Sequence, residues 1–347
     1  MIYSSRKFVC ALLVVIVGRS HGQQWALSPS EEFQARITKL ESAKRAEGRN
    51  TFTVELLDSK GRTQYTLTKE VPFDVPYPDV YLTDKGGAML VNGFYGTVDF
   101  YDNEGTSLKS VRFFKEDAPE YERVLQAGVS QDVIAFAASG PNTNGTQLAL
   151  YDADGNPIWE KRFPGDLAYR VEVLPKDTAL AVHKRFIVMS HYSAQGSGGG
   201  DVTSTILDRS GNILAEIPIL FRHAHLSIPA KLLALSDQTR VLVLGTDDFR
   251  EQFRWEVPEE DRSRVVTAVA VGRTGLVAVQ TAAVTFEEGA APFQNPAVFV
   301  LEVDRGTVLD RTEFSGVSFK TTTMRAEGEN LNVRFDHEKR FQLRMSR

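Results

Sequence analysis

The stretch LALYDADGNPIWEKRF, residues 148–163, predicts two β-strands joined by a tight turn. Apolar side chains are frequent in its two arms, and the polar segment DADGNP separates them. Asp152 opens this turn and Gly155 follows three residues later. An aspartate can accept hydrogen bonds from the backbone N–H groups just after it, and a glycine tolerates a positive φ angle. The stretch is therefore typical of a β-hairpin.

Related hairpins recur along the chain with an acidic residue and a glycine at similar relative positions. Besides residues 148–163, these second-kind hairpins cover 54–67, 98–113, 204–219 and 298–314. They alternate with first-kind hairpins, whose second strand is more apolar, at 80–91, 123–138, 231–245, 266–280 and 321–335, and in a blurred form at 170–190. The turns of the first kind recur about every 48 residues, which indicates a repeat protein.

Two hairpins per repeat predict a four-stranded antiparallel sheet. Such a sheet cannot bury both faces alone, and the stacking of several sheets around an axis solves this problem. The six first-kind hairpins therefore predict an all-β fold, a six-bladed β-propeller over residues 51–347. Because the segment after Gly245 lacks a clear aspartate–glycine turn, seven blades is the alternative count. We expect the N-terminal and C-terminal strands to close the ring together in one blade.

The second-kind hairpins resemble the outer strands of the PQQ-like and WD40-like repeat propellers of exported bacterial proteins. Trp159 stands where that family has a tryptophan that docks one blade onto the next. The resemblance covers residues 51–347. It implies a propeller fold but no bound quinone, because the alanine, aspartate and threonine–glycine pattern of the family is incomplete here.

The first 22 residues have the pattern of a cleaved signal peptide. Arg6 and Lys7 precede an apolar run from Phe8 to Val17, and Gly22 offers a small residue for cleavage. The run has about ten residues, whereas a membrane-spanning helix needs roughly 20. We therefore expect a periplasmic or secreted bacterial protein that has no transmembrane anchor after cleavage.

Residues 23–50 are predicted to form a short N-terminal helix or linker. Ser28 can cap the helix, Pro29 suits its first position, and Glu31 lies three residues after the cap. Gly48 is a suitable stop. Apolar residues also recur at helical spacing in this segment.

The charge balance excludes one class of partner. The chain has 40 basic and 45 acidic residues, and the loss of Arg6, Lys7 and Arg19 with the leader would leave 37 against 45. A surface that binds nucleic acid normally has the opposite sign. We therefore expect no nucleic-acid partner.

Candidate binding residues lie in the long connections between hairpins. Rigid scaffolds usually carry function on such variable loops. His191, His223 and His225 are expected within one sector of the fold, where imidazoles could bind a transition metal. Asp117 and Glu287 belong to acidic loops that could contribute to a calcium site. The favoured interpretation has no cofactor, and calcium or zinc is the alternative.

Two functional hypotheses follow from these observations. The first is a non-enzymatic binding or scaffolding propeller that engages a protein, peptide or glycan through its long loops. The alternative is a metal-dependent hydrolase or lactonase, whose ligands would be scattered along the sequence. A quinone-dependent oxidoreductase is disfavoured by the incomplete repeat pattern. No serine lies in a nucleophile elbow, and the only cysteine, Cys10, lies in the leader, so the balance favours a binding protein.

Overall fold

The computed structural model describes residues 23–40, 48–72, 75–114, 124–130, 133–140, 145–163, 166–173, 186–193, 202–286, 291–336 and 339–345. These residues divide into two compact units. The N-terminal unit runs to Ile228 and includes Leu235–Asp237, and the C-terminal unit contains Pro229–Ala234 and the residues from Gln238 onward. Within the described ranges, no helix is both long enough and apolar enough to cross a membrane.

The N-terminal unit contains four sheets of four strands each. Sheet 1 consists of β1 (Gln23–Leu27), β2 (Phe33–Leu40), β3 (Arg49–Asp58) and β4 (Thr63–Pro72). Sheet 2 consists of β5 (Asp79–Leu82), β6 (Ala88–Asn92), β7 (Thr97–Tyr101) and β8 (Ser107–Arg112). Sheet 3 consists of β9 (Val124–Ser130), β10 (Val133–Gly140), β11 (Gly145–Asp152) and β12 (Pro157–Phe163). Sheet 4 consists of β13 (Asp166–Val173), β14 (Ile187–Ser193), β15 (Val202–Leu207) and β16 (Ile213–Ile217).

The boundary between the units falls inside sheet 5, and sheets 6 and 7 belong to the C-terminal unit. Sheet 5 consists of β17 (His223–Ser227), β18 (Leu232–Ser236), β19 (Arg240–Gly245) and β20 (Glu251–Glu256). Sheet 6 consists of β21 (Arg264–Val271), β22 (Leu276–Val284), β23 (Phe293–Glu302) and β24 (Thr307–Glu313), with β25 (Ser318–Phe319) added beside β23. Sheet 7 consists of β26 (Thr322–Glu327), β27 (Asn330–Phe335) and β28 (Lys339–Arg344).

The predicted all-β fold is confirmed, and the described strands form seven sheets. Strands follow one another in chain order within each sheet, as expected for repeated hairpins. The sequence predicted six repeats and kept seven as the alternative. The additional sheet is sheet 1, because residues 23–40 supply two strands that the sequence analysis assigned to a helix.

The predicted N-terminal helix is wrong. β2 pairs with β3 along its whole length, from Phe33 opposite Asp58 to Leu40 opposite Thr51. Its segment FQARITKL alternates apolar and polar residues with period two, a strand pattern that the analysis took for a helical one. The hydroxyl of Ser28 accepts the N–H of Phe33 across the turn between β1 and β2, so this residue caps no helix.

The prediction that the two chain ends share one sheet is also wrong for the described residues. β3 and β4 have their own partners, because β1 and β2 complete sheet 1. The last three strands, β26 to β28, form sheet 7 among themselves. A shared sheet was expected because β3 and β4 had no partner strands before them in the sequence. Residues 23–40 supply those partners as β1 and β2.

Inner sheets bury both of their faces. In sheet 2, Ala88 and Leu90 pack with sheet 1, whereas Met89 and Val91 pack with Ile134 and other residues of sheet 3. The other face of sheet 3 packs in the same way with sheet 4. In the C-terminal unit, sheet 6 packs with sheet 5 on one face and with sheet 7 on the other. Successive residues of an inner strand can therefore both be apolar, which explains runs such as AMLV and VIAFAA.

Sheets 1 and 7 have one apolar and one polar face. In β3 the buried residues Phe52, Val54 and Leu56 alternate with threonines and a glutamate. In β27 the buried residues Leu331, Val333 and Phe335 alternate with Asn330, Asn332 and Arg334. This strict period of two is typical of a sheet that buries one face only.

The aspartate–glycine turns form as the sequence predicted. Asp152 accepts at its Oδ1 the N–H groups of Asp154 (3.0 Å) and Asn156 (2.8 Å), and its carbonyl accepts the N–H of Gly155 (3.2 Å). Gly155 has φ +81°, which only glycine adopts without strain. The same bonds recur at the turns that open with Asp58, Asp102 and Asp208. A β-bulge accompanies each of the four turns.

Three of these turns lie against aromatic rings of the preceding sheet. A Cβ atom at Gly105 would come 2.8 Å from the Tyr65 ring, and one at Gly155 would come 2.8 Å from the Phe100 ring. Gly211 lies over Trp159, whose indole N–H donates to the carbonyl of Arg209 (2.6 Å). Trp159 therefore docks sheet 3 onto sheet 4, as the sequence predicted. Glycine suits these turns for two reasons. It adopts a positive φ angle without strain, and its lack of a side chain leaves room for the aromatic ring.

We expect Gly155→Ala to destabilise the protein more than Gly61→Ala does. Both glycines have positive φ angles, but only at Gly155 would the new methyl group collide with a ring. The backbone strain costs about 1 kcal/mol at either site, and the collision adds a further ~1–3 kcal/mol. Urea unfolding measures both variants. Equal losses would show that the contact with Phe100 is unimportant.

We expect the carboxylate of Asp152 to stabilise the fold less as the pH falls. Burial raises the pKa of Asp152, but hydrogen bonds from Asn156 and Asp154 outweigh it, so the pKa lies below its ordinary value. A carboxyl group whose pKa is lower in the folded than in the unfolded state stabilises the folded state above about pH 4. This stabilisation is lost as the pH falls through the folded-state pKa. Asp152→Asn keeps an acceptor but does not titrate. Its stability deficit in urea should be larger at pH 7 than at pH 3, and a deficit independent of pH would contradict this account.

Candidate functional site

His223 and His225 lie in a strand and not, as predicted, in a connecting loop. They belong to β17, the first strand of sheet 5, and both are partly buried. Their spacing of two residues places them on the same face of that strand. The sequence pattern of residues 231–245 predicted the first hairpin of a repeat, but these residues form β18 and β19, the middle pair of sheet 5, and β17 precedes them.

Two buried hydroxyl groups of sheet 4 hold the segment that leads into β17. Ser204 donates to the carbonyl of Ile219 (2.5 Å), and Ser190 accepts the N–H of Phe221 (2.9 Å). The two hydroxyl oxygens are 2.7 Å apart. Because Ser204 uses its only proton on Ile219, Ser190 must donate to Ser204. This chain of bonds fixes the backbone immediately before His223.

The structure describes the backbone of His191 but not its side chain. His191 lies in β14, opposite Ala168 on one side and Thr203 on the other. It belongs to sheet 4, whereas His223 and His225 belong to sheet 5. That the three imidazoles share one sector stays a prediction.

The acidic candidates Asp117 and Glu287 lie outside the described residues. Over the part of the chain that the structure does describe, no three histidine, cysteine, aspartate or glutamate side chains are grouped as metal ligands would be. Calcium or zinc binding therefore stays a prediction that rests on sequence alone.

Some strand connections are uniform in length, and others vary widely. The four aspartate–glycine turns between β3 and β4, β7 and β8, β11 and β12, and β15 and β16 have four or five residues each. The connections at the opposite edge range from two residues (164–165) to eleven (113–123). We call this second edge the joining edge. The edge with the aspartate–glycine turns also carries the connections between the first two strands of each sheet, which range from two residues (131–132) to thirteen (174–186).

The longest described hairpin at the joining edge is that of β22 and β23. The sequence predicts a long loop over residues 281–297, between two hairpins, but β22 continues to Val284 and β23 begins at Phe293. Thr285 extends the pairing by donating its N–H to the carbonyl of Pro292 (2.9 Å). The next residue, Phe286, has 95% of its surface exposed. Sequence reasoning missed Phe286, because a single phenylalanine in a sequence gives no signal of its exposure.

Arg264 fastens the base of this hairpin. Its guanidinium donates to the Thr281 hydroxyl (3.0 Å) on β22 and to the Asn295 carbonyl on β23. Burial lowers its pKa and the nearby carboxylate of Asp261 raises it, but a guanidinium stays charged throughout the ordinary pH range. Asp261 also pairs with Arg311 (2.9 Å), so the base of the hairpin belongs to a buried ion-pair network.

We expect Ser190→Ala to loosen the entry into β17. The change leaves the buried N–H of Phe221 without its acceptor, which costs ~1–3 kcal/mol. Hydrogen exchange of Phe221 and of residues 223–227 should accelerate. Ser139→Ala removes a hydroxyl that pairs with Thr146 in sheet 3 and should leave this exchange unchanged. The account is contradicted if both variants behave alike.

Comparison with known protein families and with curated protein sequences finds no match. Among solved structures, the chain is similar to the structure of the Dos1 propeller, with 13% identity, a TM-score of 0.52, and 94% of this chain and 93% of that chain covered. It is also similar to a chain in the crystal structure of the mitotic checkpoint complex, with 11% identity, a TM-score of 0.56, and 100% and 99% covered. At these identities the likeness concerns the fold alone, and the fold is that of a β-propeller.

Proposed function

We propose that the protein is a non-enzymatic scaffolding propeller that binds a protein partner through its joining edge. The contrast between uniform turns and variable connections carries this proposal. The four aspartate–glycine turns have four or five residues each, whereas the connections at the joining edge vary from two to eleven residues on the same sheets. A rigid scaffold with variable connections is the usual arrangement of a binding protein.

Similarity to other propellers supports a role in protein interaction at a coarse level. One of the similar chains is part of a complex of several proteins, the mitotic checkpoint complex. The signal-peptide pattern of residues 1–22 supports the further proposal that the protein acts outside the cytoplasm, in the bacterial envelope or beyond it.

The proposal is tested by changing one edge at a time. A partner is first isolated by cross-linking in the host and then purified for titration. Replacement of residues 115–122 by a glycine–serine segment of equal length alters the joining edge. The control variant carries Lys60→Ser, Glu104→Ser and Asp154→Ser, three exposed turn residues at the opposite edge.

We expect the joining-edge variant to bind about tenfold more weakly or worse, and the control variant to bind within about twofold of the wild type. Equal affinity of both variants, or equal loss in both, would contradict a joining-edge site. The lack of any saturable protein partner would contradict the scaffolding function itself. Thermal unfolding of both variants checks that the fold is intact.

A further inference from the structure

We propose that β28 of sheet 7 binds an acidic, extended segment of a partner protein, which pairs with it as a fourth strand. The site is the side of β28 that faces away from β27, which we call the outer side. It is separate from the joining edge, so the inference goes beyond the proposed scaffolding function and does not depend on it. Three features carry it: the number of strands in sheet 7, the backbone groups on the outer side, and the charge beside them.

Sheet 7 has one strand fewer than the other sheets in the part of the chain that the structure describes. In each of sheets 1 to 6 the third strand lies between a second and a fourth strand, as β23 does between β22 and β24. β28 is the third strand of sheet 7, and β27 is the only described strand that pairs with it. The outer side of β28 is therefore the place where every other sheet has a fourth strand.

Alternate residues of β28 direct their backbone groups to the outer side. The N–H of Met345 donates to the carbonyl of Glu329 (2.6 Å), next to the end of the pairing between β27 and β28. Neighbouring residues of an antiparallel strand direct their N–H and C=O groups to opposite sides. Three residues of β28 therefore direct these groups outward: Arg340, Gln342 and Arg344. A row of N–H and C=O groups along the side of a strand is a template for an extended chain.

One face of β28 belongs to the apolar core of sheets 6 and 7. Leu343 and Met345 are buried there. Phe341 packs on Phe314 with ring centroids 4.7 Å apart, but it is only partly buried. In sheet 3, where β12 lies beside the third strand, Leu150 of that strand is fully buried. An added strand with an apolar side chain opposite Phe341 would cover its ring in the same way, which favours binding.

The exposed side chains of β28 select the charge of the added strand. Lys339, Arg340 and Arg344 are three of its six residues, and β28 contains no carboxylate. Arg344 pairs with Glu329 (2.8 Å), whereas Lys339 and Arg340 form no ion pair with a described carboxylate. Opposite charges on neighbouring strands attract, and like charges directly opposite each other are unfavourable. A strand with acidic side chains on this face therefore complements β28.

The same charge disfavours two other occupants. If a second copy of this protein paired its own β28 with this one, cations would lie opposite cations. Residues 1–22 of the chain contain three lysines and arginines and no acidic residue, so their charge is also of the wrong sign. Positive side chains on an edge strand protect a protein against self-association. Here they leave the strand open to a chain of opposite charge.

The test titrates the purified full-length protein with fluorescein-labelled peptides of eight residues. One alternates glutamate with valine, and a second replaces each glutamate by lysine. The third is the glutamate peptide with its glutamate nitrogens methylated, because a glutamate opposite Arg340 in an antiparallel pair directs its N–H at β28. The protein variants are Arg340→Glu, Gln342→Pro and the control Lys109→Glu, which changes an exposed cation on β8 of the N-terminal unit.

We expect the glutamate peptide to bind, and the lysine and methylated peptides to bind about tenfold more weakly or worse. Arg340→Glu should weaken the glutamate peptide about tenfold and strengthen the lysine peptide. Gln342→Pro removes an N–H on the outer side and keeps the pairing with β27, so it should also weaken the glutamate peptide about tenfold. Lys109→Glu should leave its affinity within about twofold. Thermal unfolding checks that each variant is folded.

Hydrogen exchange locates the bound peptide. The amides that face outward should exchange more slowly once the glutamate peptide is bound, at Gln342 and Arg344 above all. The amides of Phe341 and Leu343 already bond to β27, so the peptide should change their exchange much less. This alternation along β28 is expected of an added strand and not of a peptide held by charge alone.

Four results would overturn the inference. They are the lack of saturable binding of the glutamate peptide, equal affinity of its methylated form, slowed exchange at another strand but not at β28, and a concentration-dependent dimer that Gln342→Pro abolishes. The joining-edge experiment uses different variants and a different ligand. The failure of either proposal therefore leaves the other standing.

Discussion

Burial of both faces of each inner sheet is the constraint on which the rest of the structure depends. A strand between two apolar cores has no polar side of its own, so most residues of β6, β10 and β22 are apolar. Polar groups within these sheets must find partners inside the protein, as the hydroxyls of Ser190 and Ser204 do. The number of residues can therefore vary only in the connections at the ends of the strands, where a change of length does not disturb a core.

Local turn chemistry could be predicted well from the sequence. Asp152 and Gly155 specify a turn by bonds that span at most four residues, so no distant contact is needed to recognise it. Trp159 was also recognisable, because the repeat propellers that this sequence resembles have a docking tryptophan at that place. Residues 33–40 were misread because helical and strand periodicities overlap in a short amphipathic segment, and only the pairing with β3 decides between them.

The candidate site was less predictable than the fold. His223 and His225 were assigned to a loop because sheet 5 lacks the aspartate–glycine turn of sheets 1 to 4. Residues 231–245 were therefore taken for its first two strands, although they are its second and third. Phe286 was overlooked because exposure is a property of the folded chain. A single phenylalanine in a sequence is far more often part of a core than a surface contact. Whether Asp117 and Glu287 take part in binding depends on geometry that sequence does not contain.

The polar faces of sheets 1 and 7 have a consequence for how the protein behaves in a crowded compartment. A repeat whose outer face matched the inner ones would be a ready template for another copy of itself, and molecules would add to one another without limit. The threonines beside Phe52 and the asparagines beside Leu331 make the other face of these strands polar, so a second chain finds no apolar face there to pack on. The polar side chains of these two strands would have to lose their water before another copy could pack on them, which disfavours such stacking.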